Sequence, residues 1–147
     1  MKKNEIPLWQ KFIGSTLFLG KIKGGGTWSS ILAGILLFYF VDWASPSFFI
    51  IFFIILFLSI FLSFNLSGDP SWFTLDEVTG IMVTFSFHNK TLSTFVVGLI
   101  LFRLFDIFKL PFIKKIEKTR FGIVLDDVIA GMLASIFLFV LHSVMPQ

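Results

Sequence analysis

The clearest apolar stretch of the chain is SFFIIFFIILFLSIFLSFNL, which extends from Ser47 to Leu66. It contains an unbroken apolar run from Phe48 to Leu58, and the next charged residue is Asp69. A helix rises about 1.5 Å per residue, so about 20 residues are enough to cross the hydrocarbon core of a bilayer. The stretch therefore predicts a transmembrane helix.

The composition agrees with a protein built for lipid. Of the 147 residues, 56% are hydrophobic, 22 are Phe and only 14% are charged, whereas about a quarter of an average soluble domain is charged. A small soluble domain has too much surface to bury so many Phe side chains. The chain has no cysteine, which excludes disulfides, thiolate metal sites and cysteine nucleophiles.

Four further apolar segments accompany this stretch, and the N-terminal segment has a different pattern. Residues 1–20 alternate apolar and polar residues without a cleavage site, which predicts an amphipathic interfacial helix and not a signal peptide. The sequence therefore predicts an all-α integral membrane protein, a bundle of about five short transmembrane helices in a single domain over residues 1–147. The predicted spans lie near residues 28–41, 47–66, 75–87, 91–108 and 126–144.

The basic residues indicate how the spans are oriented. They gather in Lys2–Lys23 and in Arg103–Arg120, and loops rich in Lys and Arg face the cytoplasm. Both clusters share one side only if residues 75–87, which are ambiguous by length, also cross. We therefore predict a multi-pass protein of the inner (cytoplasmic) membrane with a cytoplasmic N-terminus and an external C-terminus. Nucleic acid is not predicted, because the clusters flank apolar spans and are not interleaved with aromatic residues.

Acidic residues stand at span ends that this topology places on the cytoplasmic side. Ionisable groups at the edge of the hydrocarbon indicate a functional site, and clustered carboxylates need cations to neutralise them. Magnesium takes oxygen ligands such as these, together with substrate phosphate. Arg103, Asp106 and Lys109 share one side of a helix, where the two cations could bind phosphate. The five carboxylates are Asp76, Glu77, Asp106, Asp126 and Asp127.

Four motifs in fixed order carry a resemblance to a known family. They are GGTWSS (Gly25–Ser30), DPSWFTLDEVTG (Asp69–Gly80), FRLFDIFKLPFI (Phe102–Ile113) and GIVLDDVIAG (Gly122–Gly131). With them the chain resembles the phosphatidylglycerophosphatase A family. The resemblance implies magnesium-dependent removal of the terminal phosphate of phosphatidylglycerophosphate, a phospholipid substrate reached at the cytoplasmic face.

The resemblance also implies roles for residues. The carboxylates would include the magnesium ligands and a catalytic carboxylate, with Thr27, Arg103 and Lys109 near the phosphate. We predict metal ligands at Glu77, Asp106, Asp127 and Asp126; catalytic roles for Asp76, Asp126, Arg103 and Lys109; and substrate binding by Thr27, Gly26, Arg103 and Lys109. The chain departs from the family's pattern at Gly25, Ser29, Thr119 and Arg120, which concerns loop shape and substrate preference more than the reaction.

Two other classes of protein stay open at this stage. A small cation transporter would place carboxylates along a path near mid-depth, and a structural subunit would use Asp residues as helix caps alone. His88 and His142 fall on the opposite face and are too few for a histidine phosphatase. Glycines at positions 80, 98 and 131 permit close helix packing within or between chains, so the sequence leaves the oligomeric state open.

Overall fold

The computed structural model describes residues 6–64, 66, 69–108 and 121–144, and this part of the chain is helical, with no strand. A 3-10 helix at Leu19–Lys21 follows the first of its α-helices. The α-helices are α1 (Leu8–Gly14), α2 (Gly25–Phe40), α3 (Pro46–Ser63), α4 (Leu75–Phe85), α5 (Leu92–Ile107) and α6 (Gly122–Val144).

The N-terminal helix is shorter than the predicted helix over residues 1–20, of which 1–5 lie outside the described residues. Helix α1 starts after Pro7 and ends at Gly14. The chain then takes positive φ angles of 46°, 60° and 67° at Thr16, Leu17 and Phe18, which a right-handed helix does not allow. The side-chain amide of Gln10 donates to the carbonyl of Leu62 at 3.1 Å, so α1 is fixed to the end of α3.

Two of the helices are long and apolar enough to cross a bilayer. Helix α3 starts with Ser45 as its cap and Pro46 in its first turn, and only 22% of its apolar window is buried within the protein. Helix α6 is the second, and α2 is apolar but shorter. Helix α4 has 11 residues, or about 16 Å at 1.5 Å per residue. Among the described residues, α3 and α6 are thus long and apolar enough to be spans. The other three spans of the predicted bundle stay a prediction.

The short helix α4 lies at the centre of the bundle and packs against α2, α3, α5 and α6. Ile81, Met82 and Phe85 on α4 are fully buried, and between membrane helices such side chains stabilise the bundle by van der Waals packing. The Phe85 ring stacks on the Trp43 ring with centroids 4.2 Å apart and closes one end of the bundle. The opposite end of α4 carries Asp76 and Glu77 in its first turn.

Two glycines bring α4 and α6 into backbone contact. A Cβ on Gly131 would overlap the carbonyl oxygen of Gly80, and a Cβ on Gly80 would lie 2.8 Å from the carbonyl oxygen of Asp127. Helix α6 starts at Gly122, four residues before the predicted start, so Asp126 and Asp127 lie in its second turn. The close crossing therefore places Asp127 beside the first turn of α4.

Candidate active site

Three carboxylates from two helices meet at one end of the bundle. One oxygen from each of Asp76, Glu77 and Asp127 lies within 4.8 Å of the others. Asp76 and Asp127 are each only 4% exposed. Asp76 and Glu77 come from α4, whereas Asp127 comes from α6, so the crossing at Gly80 and Gly131 determines their spacing.

Local hydrogen bonds orient this cluster. An oxygen of Asp76 accepts from the backbone N–H of Glu77 at 3.1 Å, and an oxygen of Asp126 accepts from the backbone N–H of Asp127 at 3.0 Å. Each adjacent acidic pair thus has one carboxylate bonded to the backbone of the next residue. Asp126 is buried, but it does not belong to the group of three.

A chain of hydroxyls holds the start of α4 in place. Ser29 on α2 donates to the Thr74 hydroxyl at 2.9 Å, and Thr74 donates to the Thr16 hydroxyl at 3.0 Å. The Thr16 hydroxyl in turn lies 3.2 Å from the Thr74 carbonyl oxygen. Because Thr74 directly precedes α4, these bonds connect the helix that bears Asp76 to α2 and to the turn after α1.

An ion pair from α5 borders the cluster. Arg103 Nη1 lies 2.6 Å from Asp106 Oδ2, and the two side chains are 19% and 12% exposed. Asp106 is close enough to Glu77 and to Asp127 for their charges to interact. Asp106 is therefore a fourth carboxylate at the same end of the bundle, already paired with a cation.

The first turn of α2 completes the site. A Cβ on Gly26 would overlap Glu77 Oε1 and would lie 3.5 Å from Arg103 Nη1, so the absence of a side chain lets α2 approach both groups. Thr27 is in the same turn and is partly exposed. The N–H groups of a first helical turn lack partners within the helix and favour an anion.

The donor set fits a divalent cation that prefers oxygen ligands. Within the described part of the chain, Glu77 Oε2 and Asp127 Oδ1 are buried without a hydrogen-bond partner. A buried ionised carboxylate is costly unless a cation or a donor compensates it. Asp76, Glu77 and Asp127 present clustered oxygens of the kind that magnesium binds. The residues therefore fit magnesium, while its presence and the ligand roles stay predictions.

Most of the predicted site residues lie at this end of the bundle. Lys109 lies outside the described residues, as do Thr119 and Arg120. The sequence did not single out Asp69, whose charge interacts with Asp76, or the hydroxyl of Thr74. Asp69 is the first residue of the motif DPSWFTLDEVTG, and its place in this motif could have indicated that it belongs to the site. The predicted residues found here are Gly26, Thr27, Asp76, Glu77, Arg103, Asp106, Asp126 and Asp127.

The comparison with protein families agrees with the motifs in the sequence. The sequence model of phosphatidylglycerophosphatase A matches residues 12–142. The chain belongs to the phosphatidylglycerophosphatase A family. This membership supports a phosphatase that acts on phosphatidylglycerophosphate, a phospholipid, and with α3 and α6 it supports a membrane protein. The searches of curated proteins and of solved structures gave no match.

For a phosphatidylglycerophosphatase A protein, the site contains the two kinds of group that a phosphomonoester requires. Carboxylates can hold a cation that neutralises phosphate, and Arg103 can bind phosphate oxygens directly. Arg103 Nε is buried and has no hydrogen-bond partner among the described residues. This buried donor would therefore be satisfied by a bound anion, just as the two carboxylate oxygens would be satisfied by a bound cation.

Proposed function

We propose that this protein is a magnesium-dependent phosphoric monoester hydrolase that converts phosphatidylglycerophosphate to phosphatidylglycerol and phosphate. The proposal places the site at the cytoplasmic face of the inner membrane. The observation that carries it concerns three buried atoms at this end of the bundle. Glu77 Oε2, Asp127 Oδ1 and Arg103 Nε are among the buried side-chain atoms that have no hydrogen-bond partner in the described part of the chain. Two acceptors and one donor of this kind match a cation and a phosphate bound together.

Glu77 and Asp127 would hold the metal, with Asp76 and Asp106 beside them. When bound, magnesium would supply neutralisation of the phosphate charge and a position for the attacking water. The ion pair with Asp106 holds the guanidinium of Arg103 in place. In that position Arg103 would stabilise the charge that develops on the transferred phosphoryl group.

The attacking water must lose a proton to a base. The chain has a second carboxylate next to each of the proposed metal ligands Glu77 and Asp127. Asp76 lies next to Glu77, and Asp126 lies next to Asp127, and both are buried. A carboxylate within hydrogen-bond reach of the water can act as general base. We assign the base to this pair, Asp76 and Asp126, and assign phosphate binding to Arg103, Lys109, Gly26 and Thr27.

The location of the charges favours a lipid phosphatase over a cation transporter. In the described ranges, α3 carries no charged residue, and the charged residues of α4, α5 and α6 lie within two turns of one end of each helix. A transport path would require charges near mid-depth. A site at one end suits a phospholipid, whose phosphate stays at the headgroup level while its acyl chains stay in the hydrocarbon.

The test is phosphate release by the purified protein in detergent, from phosphatidylglycerophosphate, with magnesium and with excess chelator. We expect release that requires magnesium and that the Asp106→Asn variant loses. Asp42→Asn is the matched control, because Asp42 is an exposed carboxylate in the loop before α3, at the opposite end of the bundle. No release from this lipid or from other lipid phosphomonoesters by a folded sample would contradict the proposal.

A further inference from the structure

An apolar groove lies between α1, α2, α3 and α4, on a different side of α4 from α6. Its volume is about 390 Å³, and almost all of its lining is apolar. Leu36 and Phe40 on α2 are exposed along it, which leaves the groove open to the surroundings of the bundle. The lining includes Phe12, Leu17, Leu36, Phe40, Ile55 and Leu75.

The groove extends from the level of the carboxylates into the level of the spans. Leu75 lines it at one end and directly precedes Asp76, whereas Phe40 lines it at the last residue of α2. Its α2 lining extends from Leu32 to Phe40, about 12 Å at 1.5 Å per residue. This length is close to half of a hydrocarbon core of about 30 Å. The groove therefore has the depth of one leaflet.

The mouth of the groove is formed by an unusual turn. Thr16 and Leu17 line the groove and, with Phe18, have positive φ angles, which are costly for residues with side chains. Hydrogen bonds hold this turn: Thr74 donates to the Thr16 hydroxyl, and the N–H of Phe18 donates to Ser15 Oγ at 3.0 Å. Strained backbone that its surroundings fix in this way is common where proteins hold ligands.

Basic residues lie close in sequence to the residues that line this mouth. Lys11 precedes the groove residue Phe12 on α1, and Lys21 and Lys23 follow the turn and are exposed. The ammonium of Lys21 lies 4.1 Å from the centre of the Phe18 ring. Lysines at the headgroup level attract anionic lipids. The apolar groove thus adjoins a segment that carries three lysines, Lys11, Lys21 and Lys23, and this combination is complementary to an anionic glycerophospholipid.

We propose that this groove binds one acyl chain of the phospholipid substrate and so positions its phosphate at the carboxylate end. The inference rests on the proposed function, because it assigns the occupant as the substrate. An acyl chain held between Leu75 and Phe40 would bring the headgroup of its own lipid to the level of Asp76. The groove then makes the rate depend on the length of the chain.

Two neighbouring residues on α2 provide a matched test. Leu36 lines the groove and is 46% exposed, whereas Ile35 is 39% exposed and does not line it. In Leu36→Trp the indole should fill the slot, and kcat/KM for dioleoyl phosphatidylglycerophosphate should fall about tenfold or more, as expected when a hydrophobic pocket is obstructed. For the dibutanoyl substrate it should stay unchanged, and Ile35→Trp should be unchanged for both. An equal loss for both substrates, or no loss in Leu36→Trp, would overturn the proposal.

A second measurement separates the groove from the phosphatase reaction. Dioleoyl phosphatidylglycerophosphate with a photoreactive diazirine in one acyl chain is cross-linked to the full chain in vesicles, and the labelled residues are mapped. We expect labels at Leu36 and Phe40 to exceed those at Phe53 and Phe57, exposed residues of α3 outside the groove. Even labelling of all four overturns the groove proposal. Absence of phosphate release by the unmodified protein overturns the proposed function, whatever the cross-linking shows.

Discussion

The two ends of the bundle differ in whether their buried polar side chains have hydrogen-bond partners. At the end away from the carboxylates, the rings of His88 and His142 have centroids 6.1 Å apart. His88 Nε2 pairs with Ser135 Oγ at 2.9 Å, and His142 Nδ1 pairs with the carbonyl of Leu138 at 2.9 Å. At the carboxylate end, Glu77 Oε2 and Asp127 Oδ1 are instead buried without a hydrogen-bond partner among the residues that the structure describes.

The comparison distinguishes polar groups that the chain satisfies from those that it leaves for an outside partner. Buried polar groups in folded proteins are hydrogen-bonded as a rule, so the exceptions need an explanation. The histidines follow the rule, and they are therefore best explained as packing residues. Glu77 Oε2 and Asp127 Oδ1 do not follow it among the described residues, and the proposed cation with its phosphate would account for this exception.

Asp127→Asn should have the largest effect and should separate activity from stability. Loss of this ligand should reduce phosphate release by about 1000-fold, similar to the loss of one key charge-stabilising group. Thermal stability without magnesium should stay unchanged or rise, because the variant removes a buried charge that lacks compensation. A large loss of stability in magnesium-free buffer would indicate that Asp127 is satisfied within the protein.

Gly26→Ala should have the second largest effect on the rate, because it displaces a side chain of the site without changing any charge. The added Cβ would overlap Glu77 Oε1, and a shift of about 1 Å at a reacting group can cost about 100-fold in rate. Gly34→Ala is the control on the same helix, where the Cβ would meet the edge of the Phe95 ring at 2.9 Å, away from the site. Wild-type activity in Gly26→Ala would show that the close approach of α2 is not required.

His88→Asn should have the smallest effect on catalysis, within about twofold, since His88 belongs to the satisfied end. Burial, and then the nearby charge of His142, lower the pKa of His88 in the folded protein. The unfolded chain then binds a proton more readily than the folded one, so the wild type loses stability as the pH falls through about 6.5. Thermal unfolding between pH 8 and pH 5 should show a weaker pH dependence in the variant. An identical pH dependence of unfolding in the wild type and in His88→Asn would show that His88 does not cause it.

The sequence predicted the elements of the site better than their assembly. Long apolar segments predict helices because burial in lipid needs little else, and the acidic motifs predicted that Glu77 and Asp127 lie at one end. The choice of Asp76 over Asp126 as the third member of the close cluster depends on the rotation of α6 against α4. That rotation follows from the contact between Gly80 and Gly131. The sequence predicted that these glycines permit close packing, but not that they meet each other.

Two helix boundaries differ from the prediction, and each difference has a physical cause. Helix α1 ends at Gly14, and the left-handed turn that follows contains no Gly because tertiary hydrogen bonds between Thr16 and Thr74 fix it. Helix α6 starts at Gly122, while Asp126 and Asp127 resemble the acidic first turn of a helix. Here their placement one turn further along serves the site, so the usual capping signal misplaces the boundary.

The contact between Gly80 and Gly131 also makes the site sensitive to how the helices tilt. Neither residue has a side chain whose rotamer could absorb a displacement of α6 along α4. Any such sliding would therefore change the separation between Glu77 and Asp127 by a similar amount. Helices adjust their tilt to bilayer thickness, so we expect the reaction rate to depend on the length of the surrounding lipids as well as on that of the substrate.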